Sequence, residues 1–204
     1  NWRGTLLNGL LALDPLASEV PRAGIVHRLD KDTSGLMVVA RTRQAMDALV
    51  PQIAAREVHR QYLAMAHKIW TGPSPRTVDA AIGRDPANRL RMAVVDLTHQ
   101  SGKTAATTMQ LLAQGEGCCL VQCTLHTGRT HQIRVHMAHL GHALLGDAVY
   151  GGAPMAGMTR QALHAWRLAF THPITGAAID LTAPLPADMA QAQQLLGLSY
   201  NSFP

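Results

Sequence analysis

Short strand-like segments that lie close together along the chain are the feature that most limits its fold. Apolar or alternating stretches typical of strands occur at residues 25–26, 36–40, 60–68, 90–95, 105–112, 119–125, 163–170 and 178–181. Because helices do not alternate with them as βαβ units, neighbouring strands are expected to pair antiparallel. The sequence therefore predicts an α+β fold, with a mixed, mainly antiparallel central sheet flanked by helices.

Helices are predicted where apolar residues recur at helical spacing. Leucines within residues 6–11 fit one face of a short helix. A second helix is expected to begin after Thr42 as its N-cap, with Pro51 kinking or shortening its last turns. Residues 131–140 carry apolar residues on one face, and Gly141 is expected to end that helix.

The composition indicates one globular domain with a substantial core. Hydrophobic residues make up 47% of the 204 residues and charged residues 15%, which excludes gross disorder. No apolar run approaches the roughly 20 residues of a membrane-spanning helix, so no membrane contact is expected. The cysteines, Cys118, Cys119 and Cys123, form no disulfide framework by number or spacing. We expect them to pack within a strand, in a reducing cytoplasm.

The charge balance favours an anionic partner without identifying one. The formal net charge is +5 and the sequence pI is about 9.6. Only Lys31, Lys68 and Lys103 of the 18 basic residues are lysine, and arginine suits phosphate binding and base stacking. A GC-rich coding bias explains the excess of arginine equally well.

A dense polar motif lies between two apolar segments at residues 24–36, with the sequence GIVHRLDKDTSGL. Polar loops held by rigid strands are where functional residues concentrate. Asp30 is flanked by Arg28 and Lys31 and is expected to stay ionised. An ionised carboxylate suits a nucleophile or a base better than a general acid.

A second motif, TGRTHQIRVH, covers residues 127–136. Gly128 permits a tight turn, and free N–H groups at the following helix N-terminus beside Arg129 predict an anion site. Arg134 lies one turn into the helix, where it is placed to reach a buried carboxylate from the sheet. For an isolated Gly-Arg pair, a solvated helix start would be the favoured interpretation.

A third motif is the segment RQYLA at residues 60–64, which contains Tyr62, one of three tyrosines. An aromatic ring on a strand belongs more often to a core than to a catalytic site. The segment alone therefore carries little weight.

Taken together and in this order, the three motifs resemble those of the RluA family of pseudouridine synthases. The family pattern HRLDxxTSG matches residues 27–35 without a mismatch, and the Tyr62 segment resembles the aromatic motif. Residues 128–151 resemble the third motif and its continuation, and residues 163–184 the C-terminal stretch. Within the family, the bacterial enzymes that modify large-subunit ribosomal RNA are the most similar.

The resemblance implies a pseudouridine synthase fold with an RNA-binding cleft. It also implies isomerisation of uridine to pseudouridine in structured RNA, with 23S ribosomal RNA as the first expectation and transfer RNA still open. No cofactor and no metal are required, because the isomerisation involves neither net redox change nor hydrolysis. We further expect a monomer.

The family's catalytic roles map onto three residues. Asp30 is implied to be the catalytic carboxylate, which either attacks C1′ of the ribose or removes the proton at C2′. Arg134 is expected to pair with Asp30 and keep it ionised and oriented. Tyr62 is expected to stack on the uracil, since a phenol with a pKa near 10 is a poor base at neutral pH.

Three further residues are implied to bind substrate. Arg28 matches the position whose side chain fills the space left by the flipped nucleotide. Arg129 is expected to contact phosphate. Leu163 is expected to form part of an apolar wall around the base.

All of residues 1–204 are expected to form the catalytic domain of a longer protein. The sequence has no counterpart of the family's upstream Lys-Pro segment, nor of the small N-terminal RNA-binding domain that many members carry. Residues 1–4 lack a starting methionine and the apolar stretch of a signal peptide, so an internal or processed start is expected.

Weaker patterns indicate other enzymes and are disfavoured by spacing. Asp30 and Asp32 resemble a phosphatase DxD motif, but Ser34 stands where such motifs have Thr or Val. Residues 102–104 resemble a phosphate-binding loop whose upstream glycine is replaced by Leu97. Four histidines suggest zinc without any HExxH pattern, namely His131, His136, His139 and His142.

A non-catalytic RNA-binding module would explain the charge and the anion-binding turn equally well. What separates the two interpretations is the set of Asp30, Tyr62 and Arg134. A pure binder has no need of a carboxylate among its basic residues, because phosphate would repel it.

Overall fold

The computed structural model describes residues 4–88 and 90–200, so Asn1, Trp2 and Arg3 at the predicted processed start lie outside the described residues. Its helices are α1 (Leu6–Leu13), α2 (Arg43–Ala54), α3 (Gln132–His139) and α4 (Ala187–Leu195), with short 3-10 segments at Pro15–Glu19 and Pro21–Gly24. Its strands are β1 (Ser34–Gly35), β2 (His59–His67), β3 (Arg76–Asp79), β4 (Ile82–Arg84), β5 (Met92–Val94), β6 (Gly102–Lys103), β7 (Ala106–Gly115), β8 (Cys118–Leu125), β9 (Leu163–Thr171) and β10 (Ala178–Thr182).

One large sheet organises the molecule. In the described part of the chain it has seven strands in the order β1-β9-β2-β8-β7-β3, and β10 also pairs with β9. Within this sheet the β1–β9 pair is parallel and the other pairs are antiparallel. Strands β5, β4 and β6 form a separate small antiparallel sheet. The prediction of an α+β fold with a mixed, mainly antiparallel sheet is confirmed.

The large sheet is covered on both faces because successive side chains of its central strand point to opposite sides. On β2, Tyr62 and Ala64 join the apolar cluster that includes Ile133 of α3. The intervening Leu63 joins a second cluster that includes Met189 of α4. Each fully buried side chain of the size of Leu63 or Met189 contributes about 1.5–3 kcal/mol of stability. The central strands are therefore held rigidly, and so are the ends of the loops attached to them.

The predicted helices form close to their expected limits. Thr42 caps α2 by accepting a hydrogen bond from the backbone N–H of Ala45, and Pro51 lies inside this helix, which continues to Ala54. Helix α3 ends before Gly141, whose φ of 83° lies in the left-handed region that favours glycine.

The prediction of a continuous strand at residues 36–40 is wrong, as is that of a strand opening at residues 25–26. The backbone N–H groups of this stretch bond to separate partners instead of one ladder: Leu36 donates to the carbonyl of Ala165, and Val38 donates to the imidazole of His27. Ile25 and Val39 form only an isolated bridge.

Several elements were not predicted from sequence or were placed too broadly. Helix α4 and the short strands β1, β3, β4 and β6 were missed. The strand expected at residues 90–95 is shortened to Met92–Val94, and Leu90 is 87% exposed.

The cysteines pack inside the sheet as expected. Cys118, Cys119 and Cys123 lie on β8 as free, buried thiols, and burial raises the pKa of Cys119 to about 12. Among the described residues, no helix is long and apolar enough to cross a bilayer.

Candidate active site

A cleft of about 450 Å³ opens where the loop before β1 meets the start of β2 and the turn before α3. Five residues that the sequence singled out lie along its walls, namely Arg28, Asp30, Tyr62, Arg129 and Leu163. Arg134, the sixth, contacts Asp30 from α3. The structure therefore brings all six predicted site residues to one place.

The loop that carries Asp30 is held by side chains from the segment preceding β9. The backbone carbonyl of Asp30 accepts a hydrogen bond from the N–H of Thr33 at 3.1 Å, which closes a turn. The Arg160 guanidinium donates to the carbonyl of Asp32 at 2.8 Å, and the Gln161 amide donates to the neighbouring carbonyl of Lys31. These contacts fix the backbone next to the carboxylate.

Immediately after the loop, Gly35 lies tight against β9. Its φ is 108°, and a Cβ at this position would lie 2.1 Å from the carbonyl oxygen of Ala165. The preceding residue, Ser34, has its hydroxyl 2.9 Å from Nδ1 of His164. A glycine is required here because only hydrogen fits between the two backbones.

The expected contact between Asp30 and Arg134 is present, but it is not the main interaction of the guanidinium. Nη1 of Arg134 lies 3.4 Å from the Asp30 carboxylate. The same guanidinium donates two shorter hydrogen bonds, of 2.7 and 2.8 Å, to the two oxygens of Asp147. The side chains of Arg134 and Asp147 are only 5% and 1% exposed, and that of Asp30 is 11% exposed. Arg134 is thus anchored by Asp147 and presents its remaining edge to Asp30.

The electrostatics of Arg134 follow from this arrangement. Burial acts to lower the pKa of Arg134, but the hydrogen bonds to Asp147 and the charges of Asp147 and Asp30 raise it above its ordinary value. The guanidinium therefore stays charged in spite of its burial.

Tyr150 supports Arg134 from another side. The guanidinium carbon lies 4.9 Å from the centre of the Tyr150 ring, within the range of a cation–π contact. The Tyr150 hydroxyl accepts a hydrogen bond from the N–H of Met92 at 3.0 Å and lies 2.8 Å from Nδ1 of His131. Asp147 and Tyr150 lie within residues 128–151, which resemble the family's third motif and its continuation, but no role was predicted for either.

Tyr62 lies on β2 with its ring in the core beside the cleft and is 5% exposed. Burial raises the pKa of Tyr62 to about 12, with Arg60 opposing the rise and Asp30 adding to it. The phenol is therefore neutral at physiological pH and presents an apolar ring.

The remaining predicted residues occupy different depths of the cleft. Leu163 is 3% exposed and belongs to the apolar cluster behind Tyr62. Arg28 is exposed at the rim. Arg129 directs its Nε to the carbonyl of Thr104 at 3.0 Å.

Part of the turn before α3, where free N–H groups were expected, is bonded within the protein. The side-chain oxygen of Gln132 accepts from the backbone N–H of Arg129 at 3.0 Å and from the hydroxyl of Thr127 at 2.7 Å. The backbone N–H of Gln132 donates to the carbonyl of Arg129. Gln132 thus occupies part of the predicted anion site from within the protein.

Two of the four histidines that suggested zinc lie in different environments in the structure. His136 lies against the hydroxyl of Thr107 and the carbonyl of Ala80, and His142 against the carbonyl of His67. Within residues 4–88 and 90–200, no group of three or more metal-ligating side chains comes together.

Comparisons with known proteins point to one family and one fold. The family model described as RNA pseudouridylate synthase matches residues 6–139. The large-subunit ribosomal pseudouridine synthase D of Neisseria meningitidis serogroup B is 49% identical over 97% of this chain and 54% of its own length. The protein of the same name from Xanthomonas campestris is 49% identical over 96% of this chain and 61% of its own length.

A solved structure shows a similar fold. Human RNA pseudouridylate synthase domain containing 1 superposes with a TM-score of 0.68 and 30% identity, covering 81% of this chain and 71% of its own. The fold is that of proteins described as RNA pseudouridylate synthases. The chain belongs to the RNA pseudouridylate synthase family. It spans between half and two thirds of the length of the two bacterial relatives.

Proposed function

We propose that this chain is the catalytic domain of an enzyme that isomerises uridine to pseudouridine in large-subunit ribosomal RNA. The observation that carries the proposal is the position of Asp30, which faces the cleft, contacts Arg134 at 3.4 Å and lies among the same cleft walls as Tyr62. The names of the bacterial relatives support ribosomal RNA as the substrate.

The reaction breaks the bond between N1 of uracil and C1′ of the ribose and forms a bond between C5 and C1′. The proton on C5 is lost and N1 gains one, so the product is an isomer and no oxidant, reductant or water is consumed. Asp30 acts either as the nucleophile at C1′ or as the base at C2′. In both cases Arg134 holds the carboxylate in place, and Asp147 holds Arg134.

The target nucleotide has to leave the RNA stack to reach Asp30, at a cost of a few kcal/mol. The exposed Arg28 at the rim is placed to stack on the neighbouring bases in its absence. Inside the cleft, the neutral ring of Tyr62 stacks on the uracil, and Leu163 closes the apolar side. Arg129 contacts the RNA backbone from the turn before α3.

A purely RNA-binding role fits the cleft less well. Its walls include a carboxylate that is 11% exposed, and anionic RNA would be repelled by it unless it takes part in the reaction. Transfer RNA is the alternative substrate, and we propose a monomeric, cytoplasmic enzyme that works without cofactor or metal.

The function is tested by release of tritium from C5-labelled uridine in a large-subunit ribosomal RNA transcript. We expect release that saturates with RNA and coincides with pseudouridine in nuclease digests analysed by mass spectrometry. Transfer RNA labelled in the same way serves as the comparison substrate. Tritium release from transfer RNA alone would show that transfer RNA, and not ribosomal RNA, is the substrate. Absence of release from both RNAs would contradict the proposed activity.

Stacking by Tyr62 predicts a difference between its two simplest variants. We expect Tyr62→Phe to bind RNA as the unmodified protein does, because the ring is kept. Tyr62→Ala should weaken binding by about 1–3 kcal/mol, the range for one base–aromatic stack. Binding isotherms with a uridine-containing stem-loop measure this difference. Equal RNA affinities for the two variants would contradict stacking, and lost turnover in Tyr62→Phe would assign a proton-transfer role to the hydroxyl.

A further inference from the structure

Arg60 is a second buried arginine in the cleft, and neither the motif interpretation nor the reaction above uses it. It begins the segment that contains Tyr62, two positions earlier on β2. Its backbone neighbours are Leu125 on β8 and Leu168 on β9, and the residue is only 7% exposed. Its side chain nevertheless forms part of the cleft wall.

In the described part of the chain, the Arg60 guanidinium has no acidic partner. The ion pairs of the structure involve other arginines, and Asp30, the one carboxylate among the described cleft-lining residues, contacts Arg134. Nε of Arg60 is buried and has no hydrogen-bond partner within residues 4–88 and 90–200. Burial lowers the pKa of Arg60, whereas the pKa of Arg134 is raised by its partners. The two buried arginines of the site thus differ. The charge of Arg134 is balanced by carboxylates of the described residues, whereas that of Arg60 is not.

The guanidinium end of Arg60 reaches the cleft beside the turn before α3. A Cβ added to Gly128 would lie 2.9 Å from Nη1 of Arg60, and Gly128 itself is exposed. His27 also lines the cleft, and its pKa is lowered to about 4 by burial and then by the charge of Arg60. Neither the neutral imidazole of His27 nor Gly128 balances the charge of this cation.

Burial of an unpaired cation carries a large desolvation cost, and an apolar side chain between two leucines would avoid it. The cation is explained if a negative group enters the cleft during function. A guanidinium fork matches two oxygens of a phosphate group. We propose that Arg60 binds a backbone phosphate next to the nucleotide that enters the cleft. This inference rests on the proposed action on RNA.

The inference is tested with the variant Arg60→Gln of the full chain. Its equilibrium binding is measured to a stem-loop from large-subunit ribosomal RNA that contains a uridine which the unmodified protein converts. We expect affinity to fall about tenfold to a hundredfold, as for a lost charged hydrogen bond. The slope of log affinity against log salt should decrease by about 0.7–0.9, because one phosphate contact is gone. In tritium release, KM should rise while kcat changes little, since a phosphate contact is made in both the bound and the transition states. Arg60→Lys should recover part of the affinity.

Arg167→Gln is the matched control, because it removes the same charge from β9 at an exposed site where Arg167 pairs with Asp180. We expect it to leave the salt slope unchanged. A second measurement replaces each phosphate flanking the target uridine by a neutral methylphosphonate. When the phosphate that Arg60 contacts is replaced, the affinity of the unmodified protein should fall, whereas that of Arg60→Gln should not change. Arg60→Met should unfold at the same temperature as the unmodified protein or at a higher one. If Arg60 only stabilised the fold, the unfolding temperature of this variant would fall.

The outcomes separate this inference from the proposed function. If the unmodified protein converts uridine but Arg60→Gln keeps its salt slope and its methylphosphonate sensitivity, the phosphate contact is wrong and the activity stands. A lowered unfolding temperature of Arg60→Met with unchanged RNA affinity would assign Arg60 a structural role. If the unmodified protein neither binds nor converts the RNA, both proposals fail.

Discussion

Asp30→Asn is expected to remove pseudouridine formation while leaving RNA binding close to that of the unmodified protein. The amide keeps the shape of the side chain but supplies neither a nucleophile nor a base. Rates should therefore fall by at least about a thousandfold, as for other essential nucleophiles. The fold should persist, because Arg134 keeps its two hydrogen bonds to Asp147. Single-turnover tritium release and an RNA-binding isotherm measure the two effects.

Asp32→Asn is the matched control for this experiment. Asp32 belongs to the same motif but is exposed, and its described contact with Arg160 is made by its backbone carbonyl. Its φ of 69° is a conformation that asparagine tolerates well. We expect near-normal turnover. Normal turnover of Asp30→Asn, or equal losses in both variants, would show that the Asp30 carboxylate is not the reactive group.

The second large effect is expected at the buried pair that holds Arg134. Arg134→Met leaves the carboxylate of Asp147, which is 1% exposed, without its partner. Breaking a buried pair in this way costs about 3–5 kcal/mol, which for a domain of this size lowers the midpoint of thermal unfolding by about 6–20 °C. Activity should also be lost, because Asp30 loses the group that orients it.

The double variant Arg134→Met, Asp147→Leu separates these two consequences. Apolar residues of similar volume often replace a buried ion pair without net loss of stability. We therefore expect thermal unfolding to return most of the way to that of the unmodified protein, with tritium release still absent. Restored activity together with restored stability would mean that Arg134 matters only for folding.

Local patterns were sufficient to predict much of the fold. Strand β2 and helix α3 were found because their apolar residues recur at the spacing of the element they form, and both elements cover the same cluster. Residues 36–40 have an equally apolar pattern but pair with several separate partners, and no local pattern contains that information. Helix α4 was missed because its alanines and glutamines give little contrast between its faces, and Met189 and Ala192 are its buried residues.

The site was predicted in part for a similar reason. The motif around Asp30 and the family resemblance indicated which residues to group, and the cleft brings them together. The role of Asp147 was not predicted, because its pairing with Arg134 depends on how the chain turns after α3. Arg60 was overlooked because one arginine on a strand resembles any exposed basic residue. Only its burial and its lack of a carboxylate partner among the described residues set it apart.

The attachment of the Asp30 loop to the region before β9 has a consequence for biosynthesis. Gln161 contacts Lys31 across a sequence separation of 130 residues, and Gly35 lies against Ala165. During translation, Asp30 therefore leaves the ribosome long before the residues that hold its loop. A nascent chain that ends before β9 is expected to carry the Asp30 carboxylate in an unfixed position. The proposed active site would then be complete only late in synthesis.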